Sequence, residues 1–404
     1  MRINLSAQSF KDALPVIERL EAAGFEAYFV GGSVRDALIG RPQDDVDITT
    51  SATPQEIKTI FKKTVDVGIE HGTVLVLTSR GKFEVTTFRA DGEYLDYRRP
   101  DSVTFVRSLE EDLKRRDFTV NAFALKANGE ILDYFEGEKD LQEKRIRAVG
   151  NPQDRFNEDA LRMIRAIRFV AQLGFDIEDE TYQAICDLVS NLEKIAVERI
   201  TVELSKMMQG HFWKKAMNLF IQSKMVEAVP KLTLNNLDIQ ALQALEGVHF
   251  TDLSQIFAVL LTSQKVDVKA VSPLLRKWKV SNEVLKRTQK ITKAIQFRLE
   301  GSWTRHELYH LTLDEAILAE ESLRFFGQKA NVEKTVEMYQ EMPIHNLKDL
   351  GITGVDILQE TGESQGKWLG EMLQFLAVEV LNGNLPNNKE KLLIAVVENR
   401  NKFN

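Results

Sequence analysis

The sequence predicts an α+β/α multidomain fold: a head with a mixed sheet, followed by an all-helical remainder. Three observations carry that expectation. The first ~150 residues interleave short β-branched runs with short helical patterns. From about residue 152 one helical pattern follows another, separated by brief Gly, Asn or Ser turns. The chain has 404 residues, 43% hydrophobic and 28% charged, which leaves room for two to four ordinary globular domains.

In the head, FKDALPVIERLEAAG reads as a helix closed by Gly24. AYFVGG is a short buried strand entering a glycine turn. SVRDALIG is a short helix, with Ser33 as its N-cap and Gly40 just past its end. DVDIT is a strand, and TPQEIKTIF opens a helix with Pro54 at its first position. TVDVG, TVLVLTS and KFEVTTF alternate with the period of strands. Residues 89–104 (RADGEYLDYRRPDSVT) are polar and aperiodic, a long loop of the kind that is usually functional. SLEEDLKRRDF is helical, followed by strands TVNAFALK and ILDYF. PQDRFNEDALRMIRAIRFVAQLG then reads as one long helix ended by Gly174.

Composition excludes several classes. No apolar run approaches the ~18 residues of a membrane span, and the N-terminus lacks the pattern of a secretory signal. The single cysteine, Cys186, sits in a helical run with core-like spacing, so no disulfide forms within the chain and a reducing cytoplasm is expected. Net charge is −7, yet residues 265–298 hold ten Lys and Arg against two acids, Asp267 and Glu283. That asymmetry suits an anionic ligand such as an RNA backbone, or else a solvated helix face.

The sharpest motif is VGGSVRDALIGRPQDDVDI. Gly31 and Gly32 leave a strand and enter a helix, where backbone can approach a ligand and the helix start favours anions. Arg35 adds a positive charge one turn in. Asp45 and Asp47, two residues apart on the next strand, project to one face, while Asp44 points away. Two such carboxylates repel unless a cation lies between them. Mg²⁺ takes one or two carboxylates together with substrate phosphates. With Glu84 on a later strand, the set reads as a two-metal site for phosphate chemistry. A solvated acidic edge is the alternative for the two aspartates alone.

Two further segments join it. In EDALRMIRAIR, Asp159 and Arg162 lie one turn apart on a helix and can present together. An acceptor beside a donor matches the edges of cytosine and adenine and mismatches those of uracil and guanine. Arg165 and Arg168 continue that ridge and could reach phosphates; an intrahelical ion pair is the plainer reading. In KRRDFTVNA, Arg116 could bind a triphosphate, or the run could be a solvated basic turn. His306-Glu307-Leu-Tyr-His310 fits the H-E-x-x-H pattern of zinc proteases, but Leu313 and Ala316 stand where the extended motif needs Gly and His, and Ala330 stands where a glutamate ligand is usual. Those histidines read as helix surface and packing.

Together, YFVGGSVRDALIG, DDVDITTSATP, VGIEHGTVLV, EVTTFR, RSLEEDLKRRDFTVNA and NEDALRMIRAIRF resemble the bacterial CCA-adding enzymes, tRNA nucleotidyltransferases of the class that includes bacterial poly(A) polymerases. The match is close and in order over residues 25–172; the helical remainder agrees in size and character. The resemblance implies a polymerase-β-like head (1–150), then helical neck (151–210), body (211–275) and tail (276–404). It implies template-free use of CTP and ATP with Mg²⁺, the tRNA 3′-hydroxyl attacking the nucleotide α-phosphate. It assigns Mg²⁺ to Asp45 and Asp47, the third carboxylate to Glu84, and nucleotide contact to Gly32, Arg35 and Arg116. Base reading falls to Asp159 and Arg162, with Arg165 and Arg168 completing the pocket. The 89–104 loop occupies the position of a segment that takes part in the C-to-A switch, which favours full CCA addition over CC addition alone. A poly(A) polymerase is the nearest rival, although a Gly-Arg-Arg-Phe-like run is missing where VDVGIEHGTVLV stands; a catalytically inactive RNA-binding protein is the remote one. The oligomeric state stays open, a homodimer included.

Overall fold

The computed structural model describes residues 2–43, 45–92, 103–229 and 249–403. The chain divides into two compact units, Met1–Leu232 and Thr233–Asn404. Among the described residues no helix is long and apolar enough to cross a membrane.

The first unit is built on a seven-stranded sheet whose strands lie side by side in the order Thr64–Gly68, Thr73–Leu77, Lys82–Thr87, Asp47–Thr50, Ala27–Val30, Phe123–Leu125 and Ile131–Asp133. In chain order its elements begin with α1 (Gln8–Ala22), β1 (Ala27–Val30), α2 (Gly32–Leu38), β2 (Asp47–Thr50) and α3 (Pro54–Ile60). Next come β3 (Thr64–Gly68), β4 (Thr73–Leu77), β5 (Lys82–Thr87), β6 (Arg89–Asp91), β7 (Val103–Phe105) and α4 (Leu109–Lys114). Then follow β8 (Phe123–Leu125), β9 (Ile131–Asp133), α5 (Gly137–Gln142), β10 (Arg145–Ile146), α6 (Pro152–Glu158) and α7 (Leu161–Leu173). After β11 (Asp176–Ile177), the unit continues with α8 (Asp179–Leu188), α9 (Val197–Met208) and α10 (Trp213–Gln222). Within the large sheet only β2 and β5 run parallel; the other pairs are antiparallel.

Packing explains where the polar segments end up. Leu109 and Leu113, four apart on α4, pack with Val30, Phe88 and Ala124. That contact fixes α4 against the sheet and delivers Arg115–Asp117, just beyond its end, to the edge where β1 stops. On α1, Phe10 packs edge-on against Phe29 of β1 at 5.0 Å between ring centres. Thr53 caps α3 in a reciprocal box with Glu56, and Pro54 stands at the first helical position as expected.

Several local expectations change. The strand DVDIT begins at Asp47, because β1 ends at Val30 opposite it and offers no partner to Asp45 and Val46. Ser33 is no N-cap: α2 starts one residue earlier, after Gly31, and the Ser33 hydroxyl donates back to the Val30 carbonyl at 3.1 Å. Thr119–Asn121 forms a 3-10 turn ahead of β8 rather than strand. The 89–104 loop is rooted in a ribbon, β6 pairing antiparallel with β7; its residues 93–102, like Asp44, lie outside the described residues. The long helix after residue 152 breaks at Asp159, whose φ of −141° and ψ of 100° are extended. Cys186 is only partly buried, while its neighbour Ile185 fills the core.

The second unit is helical throughout its described part, with a core that includes Phe257, Leu261, Val271, Leu275 and Leu285. His306 lies in the five-residue helix Arg305–Tyr309 and His310 stands at its C-terminal cap, with ring centres 4.9 Å apart. Burial, with His306 and Lys293 nearby, pushes the His310 imidazole below the usual histidine range. The basic stretch is partly neutralised within the protein. Arg287 pairs with Asp314, Lys290 with Glu315 (3.0 Å), Lys293 with Glu307 (3.6 Å) and Arg298 with Glu320 (2.9 Å). Lys265, Lys269, Arg276, Lys277, Lys279 and Lys286 are exposed.

Candidate active site

The turn after β1 opens the site. Gly31 has φ 73° and ψ −140°, a region that residues with a side chain avoid. A Cβ there would come 3.3 Å from Arg116 Nη1 and 3.7 Å from Asp47 Oδ2. The missing side chain therefore leaves a gap between a guanidinium and a carboxylate. Gly32 comes next, and a Cβ on it would meet Arg35 Nη2 at 3.5 Å.

Asp45 and Asp47 are both exposed, while Val46 and Ile48 are buried, so the two acids share the outer side. Desolvation by the surrounding walls raises the Asp47 carboxyl above the usual range; Arg116 opposes that and Asp45 adds to it. Ile48 pairs with Val85, so Glu84 lies one position before the aligned pair on β5, next to Asp47 on β2, and it is exposed. Among the described residues no three His, Cys, Asp or Glu side chains converge as a ready-made metal cage. Two exposed carboxylates two residues apart, with one of them on the cavity, nevertheless fit a cation that takes most of its oxygen ligands from substrate and water.

A cavity of about 470 Å³ adjoins Asp47 and the glycine turn. Six arginines line it, Arg35, Arg115, Arg116, Arg162, Arg165 and Arg168, against Asp47, Asp117 and Asp159. An excess of guanidinium on one cavity suits a polyphosphate. The arginines come preoriented. Arg35 donates from Nε and Nη2 to Asp36 (3.0 and 2.9 Å) and from Nη1 to Asn121 (2.6 Å). Arg165 donates from Nε and Nη2 to one oxygen of Asp117 (2.9 and 2.6 Å). Burial would raise the Asp117 carboxyl, but Arg165 and Asn121 hold it at about 2. Arg168 lies 2.6 Å from Glu203, over the Phe169 ring at 3.9 Å. Burial, and then Arg165, lower it to about 10. Desolvation, with Arg115 beside it, also makes Arg116 a weaker base than a free guanidinium.

Asp159 and Arg162 both line this cavity, though not as neighbours on one continuous helix. Asp159 sits in the break between α6 and α7 and its Oδ1 accepts from the Leu161 N–H at 3.1 Å. Arg199 of α9 clasps both its oxygens at 3.2 and 2.7 Å. Arg162 donates to Glu158 (2.6 Å) and to the carbonyls of Arg155 (3.1 Å) and Arg115 (2.9 Å). The break turns Asp159 toward the cavity and frees it from an intrahelical pair with Arg162.

The structure thus gathers Gly31, Gly32, Arg35, Asp47, Arg116, Asp159, Arg162, Arg165 and Arg168 around one cavity; Asp45 and Glu84 do not line it and are tied to it only through Asp47, by sequence and by strand register. Arg199, Glu203, Asn121 and Phe169 were not singled out by their sequence. A signal existed for two of them. Arg199 and Glu203 are four apart on a helix whose Ile200 and Leu204 are buried, so charges border an apolar stripe.

Comparisons with known proteins identify the family. A family described as the poly A polymerase head domain matches residues 27–147. A probable RNA- and SrmB-binding site of polymerase A matches 174–234, and a putative tRNA nucleotidyltransferase domain 2 matches 248–396. Nucleotidyltransferases with this type of head are generally metal-dependent. A CCA-adding enzyme of Enterococcus faecalis is 46% identical, covering 100% of this chain and 99% of its own length. One from Streptococcus sanguinis is 43% identical, covering 99% and 100%. The crystal structure of the Bacillus stearothermophilus CCA-adding enzyme in complex with CTP superposes with a TM-score of 0.84 at 38% identity, covering 98% of each chain. Such identity, sustained from end to end over a fold that carries the same head, shows that the chain belongs to the CCA-adding enzymes, a family of tRNA nucleotidyltransferases.

Proposed function

We propose that this chain builds and repairs the 3′-terminal CCA of tRNA from CTP and ATP without a template. The observation that carries the reading is the shared cavity. Asp47, Arg116 and the Gly31 gap lie along it together with Asp159 and Arg162, so phosphate chemistry and base reading meet in one space.

In the reaction the tRNA 3′-hydroxyl oxygen bonds to the α-phosphorus, the α–β anhydride bond breaks, and diphosphate leaves. Asp45 and Asp47 would hold Mg²⁺, with Glu84 beside them. Of the two ions such a site would hold, one would lower the pKa of the attacking hydroxyl and the other would neutralise the departing diphosphate. Arg116 binds the triphosphate at the glycine gap. Arg35 has all three nitrogens donating to protein, so it steadies the turn that Gly32 opens to the nucleotide. Asp159 accepts from the exocyclic amino group of cytosine or adenine, and Arg162 donates to the adjacent ring nitrogen. Arg199 keeps Asp159 oriented for this. Uracil and guanine would set like against like, at about 1–3 kcal/mol per unsatisfied group. Arg165 and Arg168, both against the Phe169 ring, complete the pocket. A cytoplasmic setting fits a chain whose one cysteine has no intramolecular partner.

The test supplies tRNA lacking its 3′ end with labelled CTP and ATP, singly and together, with Mg²⁺, and sequences the products. CCA on tRNA is the expected result. Long adenylate tails on arbitrary RNA would overturn it in favour of a poly(A) polymerase. Products that stop at CC would assign the final adenylate to another enzyme.

A further inference from the structure

Asp112 is fully buried on α4, next to the site yet outside its cavity. Its Oδ1 accepts from Arg115 Nε (3.0 Å), Arg115 Nη2 (2.8 Å) and the Arg89 backbone N–H (3.2 Å). Its Oδ2 lies 3.3 Å from the Thr49 hydroxyl, whose one proton it shares with the Thr86 carbonyl (3.1 Å), and 3.5 Å from Arg116 Nη2. Every one of these partners leads to the site. Thr49 stands two residues beyond Asp47 on β2. Arg89 opens the β6–β7 ribbon. Arg115 and Arg116 line the cavity.

Helix α4 does not need a charge for its own packing, because Leu109 and Leu113 already seat it. A buried carboxylate is costly unless its partners satisfy it, and an apolar residue of similar size would avoid that cost. An apolar residue would, however, leave Arg115 and Arg116 without the anion that faces them from inside the protein. Arg116 lies between two carboxylates, Asp112 behind it and Asp47 in front. Asp112 therefore sets how far the guanidinium reaches toward the Gly31 gap.

We propose that Asp112 is a positioning residue of the nucleotide site: a buried anion that holds Arg116 at the gap between Gly31 and Asp47 and fastens the root of the ribbon at Arg89 to the catalytic strand. The inference rests on the assignment of Arg116 to the nucleotide. It predicts an effect on both nucleotides alike and none on the tRNA acceptor, because the partners of Asp112 named above include neither the base-reading pair nor any residue of the second unit.

The experiment is a cycle of Asp112→Asn, Arg116→Lys and the double variant in the full-length enzyme. It reads KM for CTP, ATP and tRNA separately, kcat, CTP affinity without tRNA, and Tm. Asp112→Asn is expected to raise KM for CTP and ATP and to weaken CTP binding by roughly 10- to 100-fold. KM for tRNA should stay unchanged. The double variant should be no worse than Arg116→Lys alone by more than about 2-fold, since residues that act as one unit are not additive. Unchanged nucleotide KM in a folded Asp112→Asn, or losses that multiply, would overturn the proposal. An equal rise in the KM for tRNA would do the same, since it marks a general loss of fold. If Asp112→Asn does not fold, Thr49→Val replaces it in the cycle; it removes one donor to Asp112 while keeping the shape. A rise of about 3-fold in nucleotide KM is then expected, and a silent, folded Thr49→Val rejects the idea. Arg116→Lys alone separates the two levels. If it leaves nucleotide KM untouched, the site assignment itself falls; if it acts while Asp112→Asn is silent, only the role of Asp112 falls.

Discussion

Asp112 in the first unit and Glu320 in the second are both buried carboxylates clasped by arginine, and they do different work. Glu320 accepts from Arg298 Nε (2.9 Å), Arg298 Nη2 (3.2 Å), Trp303 Nε1 (2.9 Å) and the Asn331 N–H (2.8 Å). The remaining faces of Arg298 meet the Gly301 carbonyl and the Trp303 ring, so the cation is spent inside the protein. The arginines of Asp112 instead border the cavity beside the glycine turn. A buried Arg–carboxylate pair is therefore silent about function by itself. What the other face of the cation meets decides whether it braces a helix pair or presents charge to a ligand.

The largest effect that would break this contrast is at Asp47. Asp47→Asn should cut kcat by at least about 1,000-fold. Its fold should not suffer. The Asp47 pKa is raised in the folded protein, so its ionised form costs stability once pH exceeds the usual carboxylate value. The metal-free variant should therefore melt slightly above the parent at neutral pH and equal it in acid; a lower Tm at pH 7 would contradict the desolvation that raises this carboxyl. Glu320→Gln should behave oppositely. Breaking a buried pair and leaving Arg298 unopposed should cost about 3–5 kcal/mol of stability. Below the new melting point, nucleotide KM should be unchanged, and a selective nucleotide defect would erase the distinction between the two carboxylates.

Asp117 gives a smaller, pH-dependent effect. Its carboxyl is held at about 2 against an ordinary 3.8, so its contribution is present above the ordinary value and lost as pH falls toward 2. That amounts to about 2 kcal/mol. Urea melts from pH 6 to pH 2 should show a shallower acid limb for Asp117→Asn than for the parent. Equal slopes would mean that Arg165 does not hold the acid in solution. The smallest effect concerns the basic stretch. Arg287 and Lys290 are engaged with Asp314 and Glu315, so reversing them should disturb packing more than RNA binding. Reversing the exposed Lys269, Arg276 and Lys277 should raise KM for tRNA a few-fold and lower the salt slope by roughly 1 for each phosphate no longer neutralised. A salt slope that does not move would remove this face from the interface.

Much of the head was legible because its signals are local. Glycines between a strand and a helix, Pro54 at a helix start, and alternating β-branched runs each report on their own few residues. The two aspartates were legible for the same reason, since residues two apart in extended backbone share a side. The misreadings have one cause. Strand DVDIT began late because its partner ended, and the helix after 152 broke because Asp159 serves α7 and Arg199 at once. In both cases a contact from elsewhere in the chain overrode local preference. In the basic stretch, too, contacts from elsewhere in the chain set what is free: acids on later helices pair with four of its cations.

The sequence by itself determined the kind of head, the aspartate pair beside a glycine turn, and, through its resemblance, the family. These depend on residue types at fixed short spacings. Tertiary structure alone decided which charges face a ligand. Asp112 carries no local mark, and the marks on Arg199 and Glu203 do not name their partners, because an ion pair between segments dozens of residues apart leaves no period in the chain. Only folding shows whether the second face of an arginine meets protein or an open cavity.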